Sequence, residues 1–222
     1  MKKLWFVILL ILVSTRALLG QEIPCRQPDV EPKCTVAGEH ELSAGDEVML
    51  RRIWEEEKLA RDTYLVLAKK WPRPRIFANI ARAEQRHMDA IEGLLERNGR
   101  EAPPPLATGI FEDATFAEAF ASLSRMGRQT PILALEVGAR IEEMDIADLN
   151  RALCETENPE VQQVLGNLRA ASGRHLTAYI QQLEARGKTY SPKYLTATEV
   201  SVILDWNRKF SHPRVRFRND GY

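Results

Sequence analysis

The stretch Ala83-Glu84-Gln85-Arg86-His87-Met88 lies in the middle of a pattern that predicts a helix over residues 74–98. A helix that packs against others carries apolar side chains at i, i+3, i+4 and i+7 on its inward face. Glu84 and His87 fall on that face, in the series Ile76, Ile80, Glu84, His87, Ile91 and Leu94. Burying a carboxylate and an imidazole costs free energy unless they are paired or bound to a metal. Glu84 and His87 are therefore candidate metal ligands, and a Glu–His hydrogen bond without a metal is the alternative.

Polar residues also lie on the inward faces predicted for two later helices. In the fourth long helix, His175 falls on the same apolar stripe as Tyr179. In the third long helix, Glu142 and Asp145 fall on the apolar stripe. The stripe favours Glu142 over the neighbouring Glu143, but a solvated acidic face remains the alternative for this helix.

The first predicted helix contains the acidic run Glu55-Glu56-Glu57. Glu56 shares a helix face with apolar residues, and Glu57 shares a face with Tyr64. Glu57 also precedes Arg61 by four positions, where a surface ion pair contributes only about 0.2–0.5 kcal/mol. Periodicity alone does not decide whether Glu56 or Glu57 is the inward carboxylate.

Capping and stop signals divide the chain into helices, and no stretch of useful length shows a strand pattern. Ser43 with Asp46, Thr130-Pro131 and Asn158-Pro159 have the pattern of helix starts. The predicted helices cover residues 44–70, 74–98, 114–126, 131–154, 159–186 and 197–207. Tight connections predict that the first two long helices are antiparallel neighbours, and the last two likewise. About thirty residues separate the two pairs, enough for a crossover that travels back along helices of this length.

Two of these stretches resemble motifs of a known superfamily. Glu57-Lys58-Leu59-Ala60-Arg61-Asp62-Thr63-Tyr64 resembles the Glu-x-x-Ala-Arg-x-x-Tyr stretch of rubrerythrin-type first helices. Glu84-Gln85-Arg86-His87 resembles the second-helix Glu-x-x-His of the same superfamily. Residues 42–204 are similar to a bacterial ferritin-like domain family of unknown function, also through Ile141-Glu142-Glu143-Met144-Asp145-Ile146 and Ser172-Gly173-Arg174-His175-Leu176.

The resemblance implies an all-α fold. It is an antiparallel ferritin-like four-helix bundle whose long crossover contains a short helix, followed by a short C-terminal helix. The resemblance also implies that Glu57, rather than Glu56, binds a metal and that Tyr64 packs beside the site.

The fourth long helix departs from the superfamily pattern. Di-iron members usually carry a second Glu-x-x-His there, but the position three before His175 is Ser172. We expect Asp145, one turn after Glu142, to supply the missing carboxylate. The expected ligands are Glu57, Glu84, His87, Glu142, Asp145 and His175.

Carboxylates and imidazoles suit iron, manganese or zinc. The resemblance implies iron, with two ions per chain, and manganese or zinc as alternatives. It implies a ferroxidase- or peroxidase-like protein that handles Fe(II), O₂ or peroxide. The competing hypothesis is a non-catalytic helical bundle without metal that binds an envelope or protein partner. A homodimer is left open.

The first twenty residues have the layout of a secretory signal peptide. Lys2 and Lys3 precede an unbroken apolar run over residues 4–13, and Gly20 offers a cleavage site. We therefore expect a periplasmic or secreted protein that loses residues 1–20 and keeps no membrane span. An uncleaved anchor is the alternative.

Residues 21–42 are predicted to form an extended arm because they are rich in proline and show no periodicity. Cys25 and Cys34 lie in this arm, and an oxidising compartment favours a disulfide between them. Cys154 is then left over, and we predict that it is a buried, unpaired side chain.

Composition is that of a globular protein, with 44% hydrophobic residues. The chain has 31 Lys and Arg residues against 31 Asp and Glu residues, so its formal net charge is zero. That balance gives no general attraction to nucleic acid, and we expect no nucleic-acid partner. Residues 43–187 are predicted to form the bundle. Residues 188–222 are predicted to form a short helix and a basic tail, either solvated or bound to an anionic surface.

Overall fold

The computed structural model describes residues 41–210. The predicted signal peptide, the predicted Cys25–Cys34 bond and the last part of the basic tail lie outside the described residues. Residues 41–210 contain helices and no strand, so the all-α prediction is confirmed for this part of the chain. The helices are α1 (Ala44–Lys70), α2 (Ile76–Arg97), α3 (Ala114–Gly127), α4 (Pro131–Glu155), α5 (Pro159–Glu184) and α6 (Ala197–Phe210).

Capping side chains fix where the long helices begin. Ser43 Oγ accepts a hydrogen bond from the backbone N–H of Asp46, whose carboxylate accepts one from the backbone N–H of Ser43. Thr130 caps α4 and Asn158 caps α5, each followed by a proline in the first turn. These three helices therefore begin at the predicted residues. No side chain caps α2, which begins two residues later than predicted, at Ile76.

The four long helices contact one another in a closed ring. The helix α1 contacts α2 and α4, and α5 contacts the same two helices. Trp54 Nε1 donates a hydrogen bond to Glu92 and Arg61 donates one to Gln85, so α1 and α2 are antiparallel. The helix α3 belongs to the connection between α2 and α4 and packs on both α1 and α4.

The buried apolar side chains form two clusters, one toward each end of the long helices. One cluster contains Tyr64, Phe77 and Leu176, and the other contains Leu50, Ile91 and Leu165. Three of the buried carboxylates of the long helices lie where the two clusters meet: Glu57, Glu84 and Glu142. The fold thus places a polar layer between the two apolar clusters.

The connection between α2 and α3 is held by buried charges on α1. Lys58 and Asp62 are fully buried and form an ion pair of 2.5 Å. Lys58 Nζ donates to the carbonyl of Ala107 at 3.0 Å, and the backbone N–H of Gly109 donates to Asp62 at 2.9 Å. Glu55 accepts a hydrogen bond from the backbone N–H of Glu112 at 2.7 Å. One face of α1 therefore anchors the connection, while another face is turned to the polar layer.

The prediction for Cys154 is wrong. Its side chain is exposed near the end of α4, and it takes part in a disulfide. The helical stripe did not reveal this because Cys154 lies in the last turn of α4, where a side chain can leave the packed face.

No helix within residues 41–210 is both long enough and apolar enough to cross a membrane.

Candidate metal centre

Two groups of carboxylates and imidazoles meet in the polar layer. In the first group, His87 Nδ1 lies 3.1 Å from Glu57 Oε2 and 2.7 Å from Glu84 Oε2. In the second, His175 Nδ1 lies 3.0 Å from Glu84 Oε1 and 3.3 Å from Glu142 Oε2. Glu84 belongs to both groups, with one oxygen toward each imidazole. These five residues, from α1, α2, α4 and α5, are called the candidate centre below.

The candidate centre is closed on its carboxylate side and slightly open on its imidazole side. The side chains of Glu57 and Glu84 are 1% and 2% exposed, whereas those of His87 and His175 are 11% and 14% exposed. The two imidazole rings stack with their centroids 5.8 Å apart. Solvent therefore meets the centre only at the edges of two rings.

Several of these short approaches are not aligned as hydrogen bonds. Within the described part of the chain, both oxygens of Glu84, Oε1 of Glu57 and Nδ1 of His175 are buried without a hydrogen-bond partner. Buried polar atoms are rarely left unpartnered. Polar atoms that face one another at close range without the alignment of hydrogen bonds have the arrangement of ligands around a common ion. Their oxygens and imidazole nitrogens fit iron, manganese or zinc.

In the metal-free protein, the surroundings of the candidate centre raise the pKa values of its histidines and of Glu57. Burial alone would lower the pKa of His87, but the carboxylates of Glu57 and Glu84 beside its Nδ1 outweigh burial and raise the pKa to about 11. Burial likewise would lower the pKa of His175, but Glu142 and Glu84 raise it to about 10. Burial raises the pKa of Glu57 because the charged form is poorly solvated there. The nearby carboxylate of Glu84 adds to the rise. Two imidazolium ions thus offset part of the buried negative charge.

The structure separates Glu142 from Glu143. Glu142 reaches the candidate centre, where its Oε1 accepts a hydrogen bond of 2.6 Å from the hydroxyl of Tyr64. Glu143 points to the segment before α6 and accepts a hydrogen bond of 2.5 Å from the hydroxyl of Tyr190. It also accepts hydrogen bonds of 2.6 to 2.8 Å from the backbone N–H groups of residues 193 to 195. Glu143 is therefore a structural anchor.

Glu57 and Glu56 are separated as well. Glu57 contacts His87, whereas Glu56 lies 3.2 Å from Arg52 Nε and takes no part in either group. Burial raises the pKa of Glu56 to about 7, and Arg52 opposes the rise.

Asp145 is the one predicted ligand that lies outside both groups. It accepts a hydrogen bond from the hydroxyl of Ser172, the residue at the incomplete position of the fourth-helix motif. Its other oxygen, Oδ1, is buried without a hydrogen-bond partner in the described chain. Burial raises the pKa of Asp145 well above its usual value, and Glu57 adds to the rise. Asp145 is therefore a neighbour of the centre rather than a member of its two groups.

Tyr179 and Gly138, beside the candidate centre, have a packing role that the sequence analysis did not predict. Tyr179 packs on Tyr64 with ring centroids 5.6 Å apart and fills the space beside Gly138. A Cβ at Gly138 would lie 2.4 Å from the Tyr179 ring. The signal for this contact was a glycine in the middle of the α4 stripe, where any larger residue would displace the tyrosine.

Comparison with known proteins gives a family. The family described as "Uncharacterized protein domain (DUF2202)" matches residues 46–207. The chain is similar to "Uncharacterized protein MJ0754" of Methanocaldococcus jannaschii, with 40% identity over 153 residues, 68% of this chain and 81% of the relative. It is also similar to the crystal structure of hypothetical protein MJ0754 from Methanococcus jannaschii DSM 2661, with a TM-score of 0.73 and 37% identity. That match covers 77% of this chain and 98% of the other. The chain belongs to the DUF2202 family.

Proposed function

We propose that the protein is a ferritin-like metal protein whose four long helices form a four-helix bundle around a non-haem iron centre. The observation that carries the proposal is the convergence of three carboxylates and two imidazoles, four of whose buried oxygen and nitrogen atoms lack a hydrogen-bond partner in the described chain. Such a donor set also accepts manganese or zinc. Iron bound there would supply the electron transfer needed to oxidise Fe(II) or to reduce O₂ or peroxide.

The residues of the chain divide the work between binding and positioning. Glu57 and His87 would hold one ion, Glu142 and His175 the other, and Glu84 would be shared between them. Tyr64 fixes the orientation of Glu142 through its 2.6 Å hydrogen bond. The apolar clusters on both sides exclude water, so charge changes inside the layer are poorly screened.

Asp145 remains our proposed fourth carboxylate. Two cations close together repel each other, and bridging carboxylates offset that repulsion. Asp145 accepts a hydrogen bond from Ser172, which holds its carboxylate at the edge of the centre. Its other oxygen, Oδ1, is buried without a hydrogen-bond partner in the described chain, and Glu57 lies close enough to raise the pKa of Asp145.

Metal content per chain tests the proposal. We expect the protein, purified without chelator, to contain iron or another transition metal, and His87→Ala to lose most of it because one imidazole ligand is gone. Glu96→Ala is the matched control, since Glu96 lies on the same helix but is exposed. Equal metal content in the two variants would falsify the proposed centre.

The second candidate is a non-catalytic helical bundle whose polar layer is a hydrogen-bond network. One contact favours it, the hydrogen bond of 3.1 Å between His87 Nδ1 and Glu57 Oε2, which gives each of these two atoms a partner without a metal. This candidate predicts a protein that is free of metal after purification and remains so when iron(II), manganese(II) or zinc(II) is added.

Export is part of the proposal. It is supported by the charged start, the apolar run over residues 4–13 and the small residue Gly20. The intact mass of the protein recovered from its host compartment tests it. A mass equal to that of a chain starting at Gln21 supports export. A mass that includes residues 1–20 contradicts it.

A further inference from the structure

A groove opens to solvent between α2 and α5, the pair of long helices on the imidazole side of the candidate centre. It has a volume of about 400 Å³. On the α5 side, its lining includes the small side chain of Ala178. Its lining consists of Pro74, Arg75, Ile76, Asn79, Ile80, His175, Ala178, Gln181 and Gln182.

His175 is the residue that joins the groove to the candidate centre. Its Nδ1 faces Glu84 and Glu142, while the ring lines the inner wall of the groove. The side chain is 14% exposed, whereas the carboxylates behind it are 2% exposed or less. A molecule in the groove therefore meets the edge of an imidazole first and the buried carboxylates only beyond it.

The residues that line the groove favour one chemical class of ligand. No carboxylate lines the groove among the described residues, whereas Arg75, an exposed residue, belongs to its lining. Asn79, Gln181 and Gln182 add amide N–H donors. A hydrated divalent cation prefers anionic oxygen ligands and is repelled by a guanidinium. A small anion, or a polar molecule that accepts hydrogen bonds, finds both charge and donors there.

The geometry points to this α2–α5 groove as the port through which a small anionic or polar oxygen ligand, of the size of peroxide, reaches the candidate centre past the ring of His175. The inference rests on the proposed function, because it requires a metal behind His175. The inference adds the route and the chemical class of the ligand. It also implies that the metal ions reach the candidate centre by a route other than this groove.

The test uses the full chain loaded with cobalt(II), which does not change its oxidation state under these conditions, and azide as the small anionic probe. Stopped-flow absorbance gives the association rate of azide, and elemental analysis gives the cobalt content. Ala178→Trp fills the groove without replacing a ligand, and the cobalt content reports whether the added bulk disturbs the neighbouring His175. We expect unchanged cobalt content and an association rate reduced about tenfold or more, as for a site whose access is blocked.

The matched control is Ala170→Trp, which places the same bulk on the exposed face of α5 two turns earlier. It should leave the association rate unchanged. A second variant, Arg75→Glu, reverses the charge in the lining without adding bulk and should slow azide by about threefold or more through lost electrostatic attraction. Arg86→Glu, the same change at an exposed position of α2 outside the groove, controls for the overall charge.

The outcomes separate the two levels of the argument. Azide that reaches Ala178→Trp and Arg75→Glu as fast as the wild-type protein overturns the port but leaves the metal centre standing. A wild-type protein that takes up no cobalt overturns the proposed function, and the port with it. Equal slowing in each variant and its control also overturns the port, because the effect then has no relation to the groove.

Discussion

The hydroxyl of Tyr64 donates a 2.6 Å hydrogen bond to Oε1 of Glu142, and both side chains are fully buried. Tyr64 comes from α1 and Glu142 from α4, so this contact fixes a carboxylate of the candidate centre from a neighbouring helix. A buried carboxylate that loses a donor keeps the cost of its burial without the compensation.

Tyr64→Phe should therefore destabilise the protein. We expect the free energy of unfolding to fall by about 1–3 kcal/mol, because a buried carboxylate oxygen loses its donor. Urea unfolding of the metal-free protein measures it. Tyr190→Phe is the control, since Glu143 keeps three backbone donors when that tyrosine hydroxyl is removed. Equal losses in both variants would mean that the hydrogen bond to Glu142 has no special weight.

Gly138→Ala should disturb the packing beside the candidate centre. Its Cβ would lie 2.4 Å from the ring of Tyr179, which is fully buried and cannot easily move. Overpacking of this kind costs about 1–3 kcal/mol. Gly166→Ala is the control, because a Cβ at that helical position meets nothing within 4 Å. There we expect a gain of up to about 1 kcal/mol from helix propensity. Thermal unfolding of the two variants should thus shift in opposite directions.

Metal binding should release protons. The pKa of His87 is raised to about 11 and that of His175 to about 10, both above the usual value near 6.5. Both imidazoles of the metal-free protein are therefore imidazolium ions at neutral pH. Each must lose its extra proton before its nitrogen can bind a cation. Affinity for the metal must then rise with pH and fall as pH drops. A pH indicator in weakly buffered solution measures the release, and binding at constant proton count would contradict the assignment of the two histidines.

Asp145→Asn should reduce the amount of bound metal from about two ions per chain toward about one, because two neighbouring ions need bridging carboxylates. Asparagine keeps the size of the side chain and removes its charge. Ser172→Glu in the same background restores the usual fourth-helix motif and should recover the second ion. Elemental analysis gives both numbers. A single ion in the wild-type protein, or no loss in Asp145→Asn, would show that Asp145 is not a ligand.

Local sequence signals were enough to predict where three of the long helices begin. Ser43 with Asp46, Thr130 with Pro131, and Asn158 with Pro159 act within one turn, so the sequence nearby contains all that is needed. The apolar stripe of α4 also favoured Glu142 over Glu143, and in the structure Glu142 is the one that lies beside His175.

Other features depended on partners far along the chain. No periodic pattern marks Lys58 and Asp62 as inward-facing, yet both are fully buried. Lys58 finds the carbonyl of Ala107 49 residues later, and nothing near Lys58 in the sequence indicates that contact. Periodicity likewise left Glu56 and Glu57 equal, because the choice depends on where His87 of another helix lies.

Glu84 has one oxygen toward each imidazole, so the two halves of the candidate centre share a single carboxylate. If each half held a cation, an ion on one oxygen of Glu84 would weaken the other oxygen as a donor, and the neighbouring histidine would have to give up a proton. Loading of the two halves would then be linked, and linkage of this kind is reciprocal: each ion would change the affinity for the other by the same factor. A binding isotherm for this protein should depart from that of two independent sites, and the departure should diminish when Glu84 is shortened to aspartate.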